Sequence, residues 1–168
     1  MKTIKKILLV ITFAMLLAGC STTEEVLKEV ENIAEKEFAE SPKGVNAETS
    51  SFSYYIPGSM KVNNEINHNI ILKEGKQTYI LFVNTLEKQN SRVIYETTLS
   101  TEEGYLLNQT FEGEERFGFV QVLQIDKKLY EVTVGIGGVK ITTETKQRDI
   151  IKSTESMMRI ANSVRYKP

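Results

Sequence analysis

The feature that most constrains this chain of 168 residues is its single cysteine, Cys20, together with the apolar run before it. The run extends from Ile7 to Leu17, is interrupted only by Thr12, and follows a basic start with three lysines. It is too short to cross a hydrocarbon core as a helix, which takes about 20 residues. Its length, and the small residues after it, are typical of a secretory signal. Because no second cysteine is present, the fold must be stabilised by packing and not by disulfides.

The stretch Leu17-Ala18-Gly19-Cys20 resembles the lipobox of bacterial lipoprotein precursors, over the first 20 residues of the chain. The resemblance implies that a signal peptidase recognises Leu17, Ala18 and Gly19 and cuts before Cys20. It also implies a diacylglycerol on the Cys20 thiol and a further acyl chain, such as palmitate, on the new α-amine. Two or three acyl chains give stable anchoring, so we expect the protein at the extracytoplasmic face of the cell membrane. The alternative is a lone buried or reactive cysteine in an uncleaved N-terminal anchor.

The chain is expected to divide into a signal peptide at 1–19, a lipid anchor with an N-terminal helix at 20–44, and one globular domain at 45–168. Removal of 19 residues from 168 leaves 149, which suits a single domain. It also removes three of the 21 basic residues, so that 18 face 22 acidic ones and the net charge becomes −4. Without a basic stripe, the chain is not expected to bind nucleic acid or to dock on anionic lipid by charge. Lysine exceeds arginine and tryptophan is absent, a composition that resembles Gram-positive proteomes of low GC content.

Two amphipathic helices are predicted near the ends of the mature chain. The first spans 21–41, where Thr22 and Glu25 have the spacing of a capping box and Pro42 prevents continuation. Such a helix either packs on its own domain or stands as an exposed stalk or partner helix near the membrane. The second spans about 146–163. The predicted apolar stripes are Leu27, Val30, Ile33 and Phe38 in the first helix, and Ile150, Thr154, Met157, Ala161 and Val164 at the second.

The middle of the chain is predicted to form mainly strands. A hairpin is predicted from 68–73 and 77–84, in which the continuous apolar run 79–83 indicates a central strand covered on both faces. Asn63, Asn64 and Asn67 are expected in a loop before it. The segment Arg92–Ser100 is ambiguous, because its residue types favour strand while its spacing slightly favours helix.

A β-meander is predicted from residue 105 onward, with strands at 105–111, 117–125, 129–136 and 139–143. Gly137-Gly138 suits a two-residue hairpin turn. The expected fold class is therefore α+β, with an antiparallel sheet of about five to seven strands. The N-terminal helix and the long C-terminal helix are expected to pack on this sheet.

Two stretches weakly resemble the PsbP-like domains. They are Phe52-Ser-Tyr-Tyr-Ile-Pro57-Gly58-Ser-Met-Lys-Val62 and the terminal Ile160-Ala-Asn-Ser163-Val164. The resemblance implies an α-β-α sandwich, and a binding or assembly domain rather than an enzyme. It supplies no functional residues that could be transferred to this chain.

The sequence predicts no catalytic, metal or cofactor site. His68 is the only histidine, it has no nucleophile elbow beside it, and a zinc site needs several ligands. Glu112, Glu114 and Glu115 lack the alternation of a calcium loop and are interpreted as a solvated turn. Glycines 135, 137 and 138 lie between strands and not before a helix, so they do not predict a phosphate site.

Three functional hypotheses follow from the sequence. The first is a non-enzymatic lipoprotein that binds an envelope or membrane protein at the membrane surface. The second is a lipid-anchored binder of a small ligand, which requires a cleft between sheet and helix that Met157 and Met158 do not fill. The third is a hydrolase using paired carboxyl groups, which requires two such groups converging in one cleft.

Overall fold

The computed structural model describes residues 22–66 and 69–167, so the lipobox residues Leu17 to Cys20, as well as Asn67 and His68, lie outside the described residues. The helices are α1 (Thr23–Ala39), α2 (Val93–Thr101) and α3 (Ile150–Ser163), the last preceded by a 3-10 turn at Gln147–Asp149. The strands are β1 (Ala47–Glu48), β2 (Phe52–Tyr54), β3 (Lys61–Ile66), β4 (Asn69–Glu74), β5 (Gln77–Val83), β6 (Leu107–Glu112), β7 (Phe117–Asp126), β8 (Leu129–Ile136), β9 (Val139–Thr145) and β10 (Arg165–Tyr166).

The described strands form two antiparallel sheets. The large sheet has seven strands in the order β3-β4-β5-β9-β8-β7-β6, and the small one has the order β1-β2-β10. The predicted α+β class and the predicted strand number are therefore confirmed. In the described part of the chain, no helix is both long enough and apolar enough to cross a membrane.

Helix α1 packs on its own domain, which decides the alternative that the sequence left open. Thr22 and Glu25 form the predicted capping box, with the Thr22 amide donating to the Glu25 carboxylate over 2.9 Å. The buried stripe of α1 faces α3 and the sheet, and it consists of Val26, Val30, Ala34, Glu37 and Phe38. Of the predicted stripe, Val30 and Phe38 are buried but Leu27 and Ile33 are only half-buried, and the charged Glu37 takes a buried place that the sequence pattern does not predict.

Helix α3 follows the predicted pattern, and its apolar face closes the main core against β8 and β9. Ile150, Met157 and Met158 are fully buried there. The segment 92–100 is helical, as the spacing slightly favoured, and α2 packs its Ile94 against Phe117 and Phe119. These phenylalanines belong to a second, smaller core that is separate from the one under α1 and α3.

Two strand predictions need correction. Asn63 and Asn64 are not in a loop but in β3, an edge strand whose residues are all exposed and whose register shifts between Val62 and Asn64. A solvent-facing edge strand has no core-facing side, so polar side chains are tolerated there. The run 79–83 does form a central strand, but its second face is only partly covered, because Phe82 packs against the cluster of Ile94 while Ile80 is 45 % exposed.

Candidate functional site

Helix α2 and the face of the large sheet opposite α1 and α3 form a cleft of about 610 Å³. Its floor comes from the central strands β5, β9 and β8, and its roof comes from α2. Met157 and Met158 belong to the core on the opposite side and do not line the cleft. Its floor includes the side chains of Ile80, Phe82, Lys140, Thr142, Glu131 and Thr133.

Strand register arranges the floor in three successive rows. Lys140 pairs with Phe82 on one side and with Gly135 on the other. The middle row holds Ile80, Thr142 and Thr133. In the third row Glu144 pairs with Glu131. Because side chains two residues apart share a face of a strand, the floor runs from a basic row through hydroxyls to an acidic row.

Helix α2 runs from the basic end of the floor, at Lys140, to its acidic end, at Glu131. Near its start, Ile94 packs in one cluster with Phe119 and with Phe82, the neighbour of Lys140. At its end, the C-cap residue Glu102 lines the cleft near Glu131, whose pKa is raised by burial and further by the charge of Glu102. The first turn of α2 therefore lies at the Lys140 end of the cleft and its last turn at the Glu131 end.

The roof helix is held in place by aromatic contacts. Tyr95 packs edge-on against Phe117 with ring centroids 5.4 Å apart, and at the same centroid distance from Phe119. The Phe119 ring lies over Gly135, where it occupies the space that a β-carbon would need. A glycine at this position of β8 therefore allows the ring to sit flat on the sheet and support α2.

Threonines supply most of the polar groups in the middle of the cleft. The hydroxyls of Thr133 and Thr142 lie 3.0 Å apart across β8 and β9 and share one hydrogen bond. One of the two hydroxyl protons is therefore left for another acceptor. On the roof, the hydroxyls of Thr97 and Thr98 donate to carbonyls one turn earlier, Val93 and Ile94.

Glu131 is the electrostatically unusual group of the site. Burial raises the pKa of its half-buried carboxyl, and the charges of Glu102 and Glu144 raise it further, while Lys140 lowers it. Like charges directly opposite each other in a sheet are destabilising, so the Glu131–Glu144 pair is not explained by stability. A local rule broken in this way indicates a functional position.

We expect Glu131→Gln to stabilise the ligand-free protein by about 0.5 kcal/mol at neutral pH, because it removes a poorly solvated charge facing Glu144. The melting temperature should then rise by about 2 °C. Because the folded-state pKa is raised, the gain should be full at neutral pH, shrink as the pH falls through that pKa, and vanish below the ordinary value of 4.5. Thermal melts from pH 4 to 8 measure this.

The matched control is Glu29→Gln on the exposed side of α1, which should leave the melting temperature unchanged. A lower melting temperature for Glu131→Gln at neutral pH would contradict the assignment of an unfavourable charge at this position.

A buried acceptor lies in the middle row beside Thr133. Gln121 is 1 % exposed, pairs with Thr133 across β7 and β8, and donates through Nε2 to Asn108 over 3.1 Å. Within residues 22–66 and 69–167, its Oε1 atom has no hydrogen-bond partner. The sheet face that carries the cleft therefore keeps an unsatisfied polar atom.

The structure does not assemble the glutamate cluster that the sequence singled out into a metal site. Glu112 forms an ion pair with Arg92, while Glu114 and Glu115 line a second, more open cavity of about 1030 Å³ beside the loop 85–90. No group of three metal-ligating side chains occurs among the residues that the structure describes. Gly137 adopts a φ of +53° in the β8–β9 hairpin, as its turn role predicts.

Sequence reasoning missed Glu131, Lys140, Thr133 and Thr142 as site residues. Each occupies the polar position of an alternating strand, which normally indicates a solvent-exposed face. The available signal was the number of strands and helices, because a seven-stranded sheet with only two long amphipathic helices leaves most of one face uncovered. Comparison with family models and with curated proteins finds no match to this chain.

Proposed function

We propose that this chain is a lipid-anchored extracytoplasmic lipoprotein whose domain binds a small ligand at the membrane surface without transforming it. The observation that carries the binding role is the cleft between α2 and the face of the sheet opposite α1 and α3. A binding site between sheet and helix requires a cleft that Met157 and Met158 do not fill, and neither side chain fills this one. Pockets of this size are typical of sites for small molecules.

The proposed anchor would hold the folded domain close to the bilayer. Helix α1 is docked on the domain, and its capping box begins at Thr22, two residues after Cys20 in the sequence. Two residues extend at most about 7 Å. The lipid on Cys20 would thus hold the folded domain directly at the membrane surface, without a long linker between them.

The binding role agrees with the expectation from the PsbP-like resemblance, which implies a binding or assembly domain. Helices α1 and α3 lie on one face of the large sheet and α2 lies on the other, which is the layer order of an α-β-α sandwich. An envelope or membrane protein, the partner of the first hypothesis from the sequence, is the competing possibility, and crosslinking in intact cells separates it from a small ligand.

A carboxyl-based hydrolase is a second candidate, and one observation favours it. Glu131 and Glu102 line the same cleft, and the pKa of Glu131 is raised, as a general acid requires. Binding is the better supported role because Glu102 is exposed at the rim. A hydrolase would lose nearly all turnover in Glu131→Gln, whereas a binding protein has no turnover to lose.

The anchor is tested by labelling cells with radioactive palmitate. The wild-type protein should carry the label, and Cys20→Ala should lose it completely, because the Cys20 thiol is where the lipid is attached. Ser21→Ala is the matched control and should keep the label. Undiminished label on Cys20→Ala would rule out the proposed lipidation.

The binding role is tested on protein extracted from membranes. Native mass spectrometry should detect a small molecule retained by the wild type and lost in Thr97→Trp, a change that places a large side chain at the roof of the cleft. Crosslinking in intact cells provides the alternative outcome. One abundant protein partner, with an empty cleft, would favour an assembly role instead.

A further inference from the structure

We propose that the cleft binds a short peptide with free termini, whose ammonium group lies at the Glu131 end and whose carboxylate lies at the Lys140 end. This inference rests on the proposed binding function and specifies its ligand class. Three independent features carry it: the opposite charges of the floor, the direction of the roof helix, and the distance between the two ends.

In the part of the chain that the structure describes, the floor carries opposite charges that are not joined to each other, or to another side chain, by a direct ion pair. Lys140 occupies the first row, and Glu131 faces Glu144 in the third row. Within the described parts of the chain, neither the Lys140 nor the Glu131 side chain has a hydrogen-bond or ion-pair partner, although the two charges still interact at longer range. Buried or half-buried charges are normally paired, so these two side chains are open to an external partner of opposite sign.

The dipole of α2 reinforces the same polarity. A helix carries partial positive charge at its N-terminus and partial negative charge at its C-terminus. The first turn of α2, at Val93 and Ile94, lies at the Lys140 end, and the last turn, with Thr101 and Glu102, lies at the Glu131 end. Floor and roof therefore both favour an anion at one end and a cation at the other.

The separation of the two ends matches a tripeptide. Lys140 and Glu144 are four residues apart on β9, a distance of about 13 Å along a strand. An extended tripeptide is about 10 Å long, and the lysine and glutamate side chains can close the remainder. A free amino acid carries both charged groups on one carbon, so it could contact both ends only if the lysine and glutamate side chains both turned fully toward it.

The apolar groups of the cleft indicate which terminus carries an apolar side chain. Phe82 neighbours Lys140, while Val93 and Ile94 form the roof above that end, and Ile80 lies one row further. The peptide residue that bears the carboxylate should therefore be apolar. In the middle, the free hydroxyl proton of the Thr133–Thr142 pair is available to a peptide carbonyl.

The test uses the lipidated protein in nanodiscs and isothermal titration calorimetry with Ala-Ala-Phe. Two blocked versions, N-acetyl-Ala-Ala-Phe and Ala-Ala-Phe amide, each remove one charge. Free Ala-Ala-Phe should bind most tightly, and each blocked peptide should bind about 10-fold more weakly, the size of one charge-assisted hydrogen bond. Free phenylalanine should also bind at least 10-fold more weakly.

Each protein variant should remove the same interaction as one of the two blocked peptides. Glu131→Gln should weaken the free peptide but not the N-acetylated one, and Lys140→Gln should weaken the free peptide but not the amide. The control variants Glu29→Gln and Lys76→Gln change exposed side chains outside the cleft and should bind as the wild type does. This pairing separates lost recognition from a general loss of folding.

Equal affinity for the free and blocked peptides, or no binding of Ala-Ala-Phe at all, would overturn the proposal. If another molecule is then retained by the wild type and lost in Thr97→Trp, the cleft is a binding site for a different ligand class. If nothing is retained in either experiment, the proposed binding function fails as well.

Discussion

Replacing Gly135 with alanine should destabilise the protein by about 3 kcal/mol, because overpacking of a closed site forces neighbouring groups to move. The new β-carbon would lie 2.3 Å from Cε1 of Phe119 and 2.7 Å from the carbonyl oxygen of Val139. The backbone oxygen cannot turn away as a flexible side chain could. Thermal or urea unfolding should show the loss, with a decrease in melting temperature of about 10 °C.

Two other glycines provide controls for this substitution. Gly58→Ala adds a β-carbon with no atom within 4 Å and should leave the stability nearly unchanged. Gly118→Ala would place its β-carbon 2.7 Å from the Phe38 ring on the opposite face, so it should destabilise without altering the cleft. Only Gly135→Ala should also weaken binding of Ala-Ala-Phe, because Phe119 supports α2. Wild-type stability in Gly135→Ala would contradict the close contact.

Replacing Arg159 with methionine should cost about 2 kcal/mol and lower the melting temperature by about 6 °C. Arg159 on α3 binds both carboxylate oxygens of Glu37 on α1, each over 3.0 Å. The Glu37 side chain is 4 % exposed and that of Arg159 is 33 % exposed. Removal of the arginine leaves a buried carboxylate without its counterion, which costs more than the pair itself contributes.

A double-mutant cycle tests this explanation. Glu37→Gln in the Arg159→Met background removes the stranded charge and should recover part of the lost stability, with a coupling energy of about 1.5 kcal/mol. Arg148→Met is the matched control, because Arg148 pairs with Asp149 at an exposed surface and should change the stability by less than about 0.5 kcal/mol. Additive effects at Glu37 and Arg159 would show that the two side chains are not coupled.

The orientation of α1 depends on this pair and on a second set of contacts to the end of the helix. Asn162 donates from Nδ2 to the carbonyls of Glu37 and Glu40, each over 2.9 Å. Arg116 donates to the Phe38 carbonyl over 2.8 Å and lies over the Phe38 ring. These contacts hold the helix next to the proposed lipid site rigidly against the domain, so loosening them should affect stability and the position of the domain at the membrane together.

Much of the fold follows from local patterns in the sequence. Three patterns can be recognised from residues close together in the chain. They are the capping box at Thr22, the buried stripe of α3 and the alternation in β8. They predict the ends and types of these elements correctly, because helical and strand periodicities are set by backbone geometry. The same holds for the two-residue turn at Gly137, where a positive φ favours glycine.

The candidate site could not be predicted in this way, because it depends on which strands become neighbours. From the sequence pattern, Glu131 and Thr133 are predicted to face solvent on one strand, and Lys140 and Thr142 are predicted to face solvent on the next. Only the strand order and register bring them under α2, as rows of one floor. The burial of Glu37 likewise depends on the distant Arg159.

The sequence alone therefore determined the lipobox interpretation, the α+β class and most element boundaries, because these depend on residues close together in the chain. The tertiary structure alone decided that α1 packs on its own domain, that one face of the sheet stays largely open, and that charges of opposite sign line the cleft over that face. These properties depend on contacts between residues far apart in the chain, and local periodicity carries no information about such pairings.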